Sequence, residues 1–278
     1  MVIKTLLAVT GPGLGKADLR IAAHLCEQIE AHLSVLVVAL AAPPPIGEYA
    51  ATVSDIWLEQ RQENMKELEK RTAAVSEFLA ATTISTDLSS EYQETSSADD
   101  AIGRRARYAD LTVIGPELLS RDTLKEKAIE GALFSSGKPI LLVPDGTKPT
   151  LRPKRIMVAW DSRLEASRAV RESLDLLVGA EDVRIALVDP VESETGHGAE
   201  PGADIAAYLA RHGVKVTVDR LPSQGRSVAS TLREHAADTA AELMVMGAYG
   251  HSRLRERIFG GTTRSMLDSP TIPVLMAR

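Results

Sequence analysis

Ala109-Asp-Leu-Thr-Val-Ile-Gly115 and Ala241-Glu-Leu-Met-Val-Met-Gly247 agree at four of seven positions, and how they are read decides the fold. Each is a short apolar run that closes on a glycine. Apolar side chains at consecutive positions suit a strand covered on both faces, which is what a parallel sheet requires. A stretch that occurs twice also predicts that the elements around it occur twice.

The flanking sequence repeats accordingly. Before the first stretch come a strand at Thr5–Val9, a helix over about Lys16–Ala31, a strand at Leu33–Leu40, a long charged helix at Ser54–Ala80, a weak strand at Thr83–Leu88 and a helix at Thr95–Tyr108. A helix near Leu124–Phe134 and a strand at Ile140–Val143 follow it. Asp145–Pro153, polar with two prolines and a glycine, reads as a linker. The order then restarts, with strands at Arg155–Trp160, Val183–Val188, Val214–Leu221, Leu243–Met246 and Ile272–Met276. Helices fall at Arg163–Val178, Ala203–Arg211, Ser227–Ala237 and Thr262–Leu267. Lys4 matches Lys154, and the second copy lacks most of the long charged helix.

Strands alternating with helices imply parallel sheets joined by right-handed crossovers. The expected architecture is two tandem Rossmann-like α/β domains, residues 1–150 and 151–278, each a five-stranded parallel sheet flanked by helices. The strand that closes each copy is short, apolar and at a sheet edge, which invites pairing. The two edges are therefore expected to meet in an intramolecular pseudo-dimer, with further homodimerisation open.

Composition narrows the function classes. With 44% hydrophobic and 25% charged residues, and no apolar run long enough to span a bilayer, no membrane association is expected. The N-terminal MVIKTLLAVTGPG is too short in its apolar part for a signal peptide and reads as a first strand. One cysteine, Cys26, excludes an internal disulfide framework, and a reduced cytoplasm is the expected setting. A net charge of −6 argues against a general nucleic-acid binder.

In open α/β sheets ligands bind beyond the carboxyl ends of the strands, where the strand order reverses. After the fourth strand of the second copy the chain reads Gly247-Ala-Tyr249-Gly250-His251-Ser-Arg253-Leu-Arg255-Glu256-Arg257-Ile-Phe-Gly260-Gly261-Thr262-Thr263. Gly247 and Gly250 allow a tight turn with N–H groups close to a ligand, because no Cβ intervenes. A second glycine pair opens a helix whose first turn carries two threonines, and free N–H groups there suit phosphate oxygens. Arg253, Arg255, Arg257 and Arg264 make the stretch locally basic. The other reading is structural, with Gly247 ending a strand, Gly250 making a turn and Thr262 capping a helix.

The spacing Gly247-x2-Gly250-x9-Gly260, after a fourth strand and before a final proline-containing strand, resembles the ATP-binding branch of the universal stress protein family. The resemblance covers the whole chain as a tandem two-domain member. It implies binding of ATP, or of ADP or AMP, with Mg as a candidate companion. The implied set is Ala159, Trp160 and Asp161 after the first strand, Val188 at the end of the second, and Met246, Gly247, Tyr249, Gly250, Gly260, Gly261, Thr262 and Thr263 around the loop. Asp161 matches the family's acidic residue that holds the nucleoside, and Val188 the backbone that meets adenine. Where the family commonly has Ser or Thr after the third glycine, this chain has Gly261. Asp161 also has a local reading, beside a capping box formed by Ser162 and Glu165.

The first copy lacks these features. Its loop reads Gly115-Pro116-Glu117-Leu118, in which Pro116 has no N–H, Leu118 is bulky and Glu117 is anionic. Gly11 stands where the second copy has Asp161. Gly11-Pro12-Gly13-Leu14-Gly15-Lys16 imitates a phosphate loop, but Thr10 and Ala17 occupy positions where that motif needs glycine and Ser or Thr. No His/Cys cluster has metal-ligand spacing, and Cys26 sits in an apolar helical pattern. The leading expectation is a regulatory adenine-nucleotide binder with no catalytic residues and little or no turnover. A slow ATPase and a nucleotide-free interaction scaffold are the alternatives; the protein partner is not specified by the sequence.

Overall fold

The structure, a computed structural model, describes residues 2–41, 43, 50–191, 199–248 and 261–278. The chain divides into two compact units, Ile3–Lys138 and Pro139–Arg278, the latter with the first two residues. Both have an α/β architecture with a central, mostly parallel sheet flanked by helices.

In the first unit the elements are β1 (Thr5–Thr10), α1 (Ala17–Ile29), β2 (His32–Ala41), α2 (Ala50–Ala80), β3 (Thr86–Glu94), α3 (Ala98–Ala106), β4 (Leu111–Ile114), α4 (Pro116–Leu119) and α5 (Asp122–Glu130). A π-helical turn over Gly131–Ser136 continues α5. The sheet order is β3-β2-β1-β4, with every pairing parallel. Leu6, Leu7, Leu33, Leu36, Leu111 and Ile114 are fully buried, as continuous apolar strands between two helical layers should be. α1 buries Leu19, Ala22, Ala23 and Cys26 against this sheet. β3 runs further than the Thr83–Leu88 reading, because β2 pairs with it as far as Ala41 opposite Glu94.

The second unit begins with β5 (Ile140–Leu142) and continues with β6 (Arg155–Ala159), α6 (Leu164–Glu172), α7 (Leu174–Gly179), β7 (Asp182–Val188), α8 (Ala203–Arg211), β8 (Val216–Leu221), α9 (Val228–Asp238), β9 (Leu243–Gly247), α10 (Gly261–Asp268) and β10 (Val274–Ala277). Its strands lie in the order β5-β10-β9-β6-β7-β8. All these pairings are parallel except β5 with β10, which is antiparallel through Leu142 opposite Val274, Leu141 opposite Leu275 and Ile140 opposite Met276. This differs from five parallel strands per copy. β5 is only three apolar residues, Ile-Leu-Leu, all buried, and it pairs along one edge with the last strand of the chain.

The single helix expected over Arg163–Val178 is two. Ser173, wholly buried, turns its hydroxyl back to donate to Ala169 O at 2.8 Å and to Val170 O at 3.2 Å. Such back-bonding competes with the helical ladder and breaks or bends a helix. Among the described residues no helix is long and apolar enough to cross a membrane.

Helix α3 packs against the π-helical turn at a pair of glycines. A Cβ on Gly103 would fall on the Ser135 side chain and 3.0 Å from Gly131 O, and one on Gly131 would lie 2.6 Å from Asp99 O. Gly103→Ala sets two effects against each other. Helix propensity favours alanine by about 1 kcal/mol, whereas overpacking typically costs about 1–3 kcal/mol. Backbone contact leaves little room to relax, so overpacking wins. Urea denaturation should place Gly103→Ala below the wild type in stability; an increase would mean that the helices simply move apart.

Candidate functional site

Strand order reverses between β6 and β9 in the second unit, so their carboxyl ends open the crevice expected to take ligands. Ala159 at the end of β6 lies between Met246 of β9 and Ala186 of β7. Trp160 prolongs the ladder by one bond, its N–H donating to Ala186 O at 2.9 Å. Asp161 follows with its side chain 57% exposed at the crevice mouth. Val188, half-buried, ends β7 two residues beyond Ala186 on the same side of the crevice. Five of the predicted site residues thus come together at one edge: Ala159, Trp160, Asp161, Val188 and Met246. Gly247 joins them as the last residue of β9.

Gly247 has a second, mechanical reason to be glycine. A Cβ there would lie 2.5 Å from Ala166 N and 2.7 Å from the Glu165 carbonyl carbon. The end of β9 is therefore in backbone contact with the first turn of α6.

The capping box expected from Ser162 and Glu165 does not form. Arg163 is the N-cap of α6 and makes no side-chain cap bond, while Ser162 precedes it with φ at 61°. Instead the Asp161 carboxylate accepts the Arg163 N–H at 3.1 Å and lies 3.8 Å from Arg163 Nε. Asp161 thus orders the turn into α6 while its side chain stays more than half exposed.

Asp189, just past β7, was not singled out by sequence. Its φ is 45°, and its carboxylate accepts Ser223 N–H at 3.0 Å. Hydrogen bonding from Ser223 holds this carboxyl below the usual carboxylate range. Gly261, Thr262 and Thr263 open α10, where Gly261 is exposed and Thr263 buried. Tyr249, Gly250, His251, Arg253, Arg255, Arg257 and Gly260 lie outside the described residues.

The equivalent place in the first unit is filled by the chain itself. Gly115 caps α4 with Pro116 in the first helical position, and the Asp18 carboxylate accepts Glu117 N–H at 3.0 Å and Leu118 N–H at 2.8 Å. A Cβ on Gly115 would fall on the Asp18 carboxyl. Arg71 of α2, only 8% exposed, reaches across to donate to Thr10 Oγ1 at 2.7 Å and Gly15 O at 2.5 Å. Glu117 presses its carboxylate against Gly15, and one of its oxygens is buried without a hydrogen-bond partner. The N–H groups that a phosphate would need are bonded to a carboxylate, beside a second carboxylate.

Neither Asp18 nor Arg71 stood out in the sequence. In sequence Asp18 is a first-turn acid of the kind helix starts favour, and Arg71 is one charge among many on α2. Elsewhere, Cys26 is fully buried, and desolvation, aided by Glu27, pushes its thiol up to about 12. It is inert core, as its apolar surroundings suggested.

Residues 153–278 match the model of the universal stress protein family. A universal stress protein of Synechocystis sp. is 28% identical over 156 residues, covering 54% of this chain and 50% of that protein; the chain matches about half the length of this relative. Among solved structures, a universal stress protein of Archaeoglobus fulgidus matches 98% of this chain and 96% of its own, with a TM-score of 0.63 at 17% identity. A candidate universal stress protein of Pseudomonas aeruginosa matches 99% of this chain and 93% of its own, with a TM-score of 0.55 at 16% identity. At such identities the structural likeness speaks to the fold.

Burial raises the Asp18 pKa above its ordinary value, outweighing the opposing N–H bonds from Glu117 and Leu118. A carboxyl that holds its proton more tightly when folded adds stability below the ordinary carboxylate range, and that stability is lost as pH rises through the raised value. Asp18→Asn removes this titration and leaves one of the two N–H groups poorly accepted, which costs about 1–3 kcal/mol. In urea denaturation from pH 4 to pH 7 the variant should be less stable throughout, by a gap that narrows as pH rises. A gap that widens would mean that the folded chain favours ionised Asp18.

Proposed function

We propose, with residues 153–278 taken as a universal stress protein domain, that this chain is a regulatory adenine-nucleotide-binding protein with its nucleotide site in the second unit. The observation that carries the reading is the meeting of Asp161 and Gly247 at the point where strand order reverses. A carboxylate suited to ribose hydroxyls stands on one side, and a glycine-ended strand leading into the Gly250 loop stands on the other. In this reading Val188 backbone meets the base. Gly247, Gly250 and Gly260 leave room for phosphate to reach main-chain N–H groups, and Gly261, Thr262 and Thr263 supply the start of α10. ATP is the proposed ligand, with ADP and AMP as weaker ones.

The residues fit that ligand by chemistry. β9 ends on Gly247, whose missing Cβ brings it against the α6 start, the α10 start carries two hydroxyls, and the sequence between them is rich in arginine. Mg, where it accompanies ATP, would add positive charge among the phosphates. Binding rather than turnover is the proposed activity. Residues 1–150 and 151–278 are proposed as the two copies, the first no longer a nucleotide site, and the cytoplasm as the setting.

Calorimetric titration with ATP tests the reading. Gly250→Val places a branched side chain where backbone is proposed to meet phosphate. Loss of one or two charge-assisted N–H bonds, each about 1.5–3 kcal/mol, corresponds to a Kd roughly tenfold to several hundredfold weaker. Asp161→Ala should weaken ATP and adenosine alike in the second unit, because it acts on the sugar end. Equal ATP affinity in wild type and Gly250→Val would remove the loop from the site.

A further inference from the structure

The amino end of the first unit's sheet, away from the carboxyl end where such sheets usually bind ligands, joins a serine, a histidine and an aspartate in series. His32 Nδ1 lies 2.8 Å from Ser85 Oγ, and His32 Nε2 lies 2.8 Å from Asp87 Oδ1. The sheet fixes all three. Leu33 stands opposite Thr86 in the parallel ladder, so His32, the first residue of β2, falls beside Ser85, just ahead of β3. Residues two apart on a strand share a face, which brings Ser85 and Asp87 to the same imidazole. Main chain holds the frame: His32 N–H donates to Lys4 O at 2.8 Å, and Leu33 N–H to Ser85 O at 2.9 Å. β2 and β3 do not need these side chains to stay together, since their ladder runs on to Ala41 opposite Glu94.

An ionised carboxylate only accepts hydrogen bonds, so Asp87 takes the Nε2 proton. Nδ1 then keeps its lone pair and accepts the Ser85 hydroxyl. Nucleophilic catalysis asks for that series: a hydroxyl, a base within about 2.6–3.2 Å of it, and a third group that orients the base. Such a triad is recognised by geometry and roles. Here Nδ1 is the base and Nε2 the anchored nitrogen.

A cavity of about 600 Å³ adjoins the triad, within the roughly 300–1,000 Å³ of small-molecule sites. His32 and Ser85 line it, and Ser85 is exposed. Asp87 is not among the lining residues, so the two groups that would meet a substrate border the space and the orienting group stands outside it. Ala31 and Ile84 supply apolar wall, and Lys4 an ammonium suited to charge developing on a carbonyl oxygen. Glu27 and Glu30 also line the cavity, which disfavours an anionic substrate and helps to expel an anionic product.

We infer that Ser85, His32 and Asp87 form a hydrolytic site for small uncharged carboxylic esters. Ser85 Oγ attacks the ester carbonyl carbon while its proton passes to His32 Nδ1. The C–O bond to the alcohol then breaks, and the alcohol leaves with that proton. Water attacks the acyl-serine, gives a proton to Nδ1, and the Ser85–acyl bond breaks to release the carboxylic acid and restore the hydroxyl. Ser85 and His32 are the catalytic residues, and Asp87 is a positioning residue. This activity lies beyond the nucleotide reading and does not rest on it.

The test uses the full chain with two probes. A fluorophosphonate should form an adduct on Ser85, with loss of fluoride, located by peptide mass mapping of the wild type. p-Nitrophenyl acetate should be hydrolysed with saturation. General-base catalysis is worth about 10²–10⁴-fold, so Ser85→Ala and His32→Gln should each lower kcat at least tenfold. Asp87→Asn should lower kcat with KM unchanged, which the loss of a mere strand tie would not do. Melting temperatures near that of the wild type establish that the variants fold. The inference is overturned if no adduct forms on Ser85, or if Ser85→Ala hydrolyses the ester as the wild type does, because lone imidazoles or lysines would then account for the release.

Discussion

The arrangement rests on one contact made twice. In each unit the strand that follows the sheet's reversal ends on a glycine, Gly115 or Gly247, whose missing Cβ lets main chain touch the first turn of the helix that follows the first strand. At Gly247 an added Cβ would meet Ala166 N at 2.5 Å, and at Gly115 it would meet Asp18. A helix start is thereby held close to the strand end at the switch point. Any larger residue would push the helix out and open the crevice. The chemistry available there is then decided by the few residues that follow the glycine.

Those residues are where the two units differ. After Gly115 the chain turns into α4 at once, because Pro116 suits the first helical position, where its missing N–H has no partner to lose. The next N–H groups find Asp18, one turn into α1, and Arg71 lends a buried positive charge beside them. The first unit thereby bonds the N–H groups at the start of α4 to its own Asp18. After Gly247 the sequence carries three arginines among glycines, hydroxyl-bearing residues and the apolar Leu254, Ile258 and Phe259, with no proline and one carboxylate, Glu256, before Gly261. One scaffold thus holds two electrostatic characters, and the nucleotide reading follows from the difference between them.

Much of the fold could be read from the chain alone. Leu111–Ile114, apolar but for Thr112, and Leu243–Gly247 are short apolar runs, and both are buried strands. Repetition of their surroundings gave the element order, and the order gave the switch point. What periodicity missed depended on single atoms or on distant partners. Ser173 breaks a helix through a hydroxyl that any exposed serine would turn to water. β5 pairs antiparallel with β10, a partner more than a hundred residues away in sequence. At the candidate site, Gly247 stood out by glycine spacing and Asp161 only through the family resemblance, whereas the Ser162 cap was misplaced because Asp161 itself accepts the Arg163 N–H. Asp18 and Arg71 were invisible, since nothing in a sequence distinguishes a charge that folds inward from one that stays in water.

The central claim is that one chain has one phosphate-accepting site, and counting bound nucleotide tests it most directly. Native mass spectrometry of the full chain in excess ATP should show a single added ATP mass per chain, with no second addition as ATP is raised. Two ATP masses per chain would contradict the account, because the carboxylates of Asp18 and Glu117 would then have failed to close the first unit to phosphate.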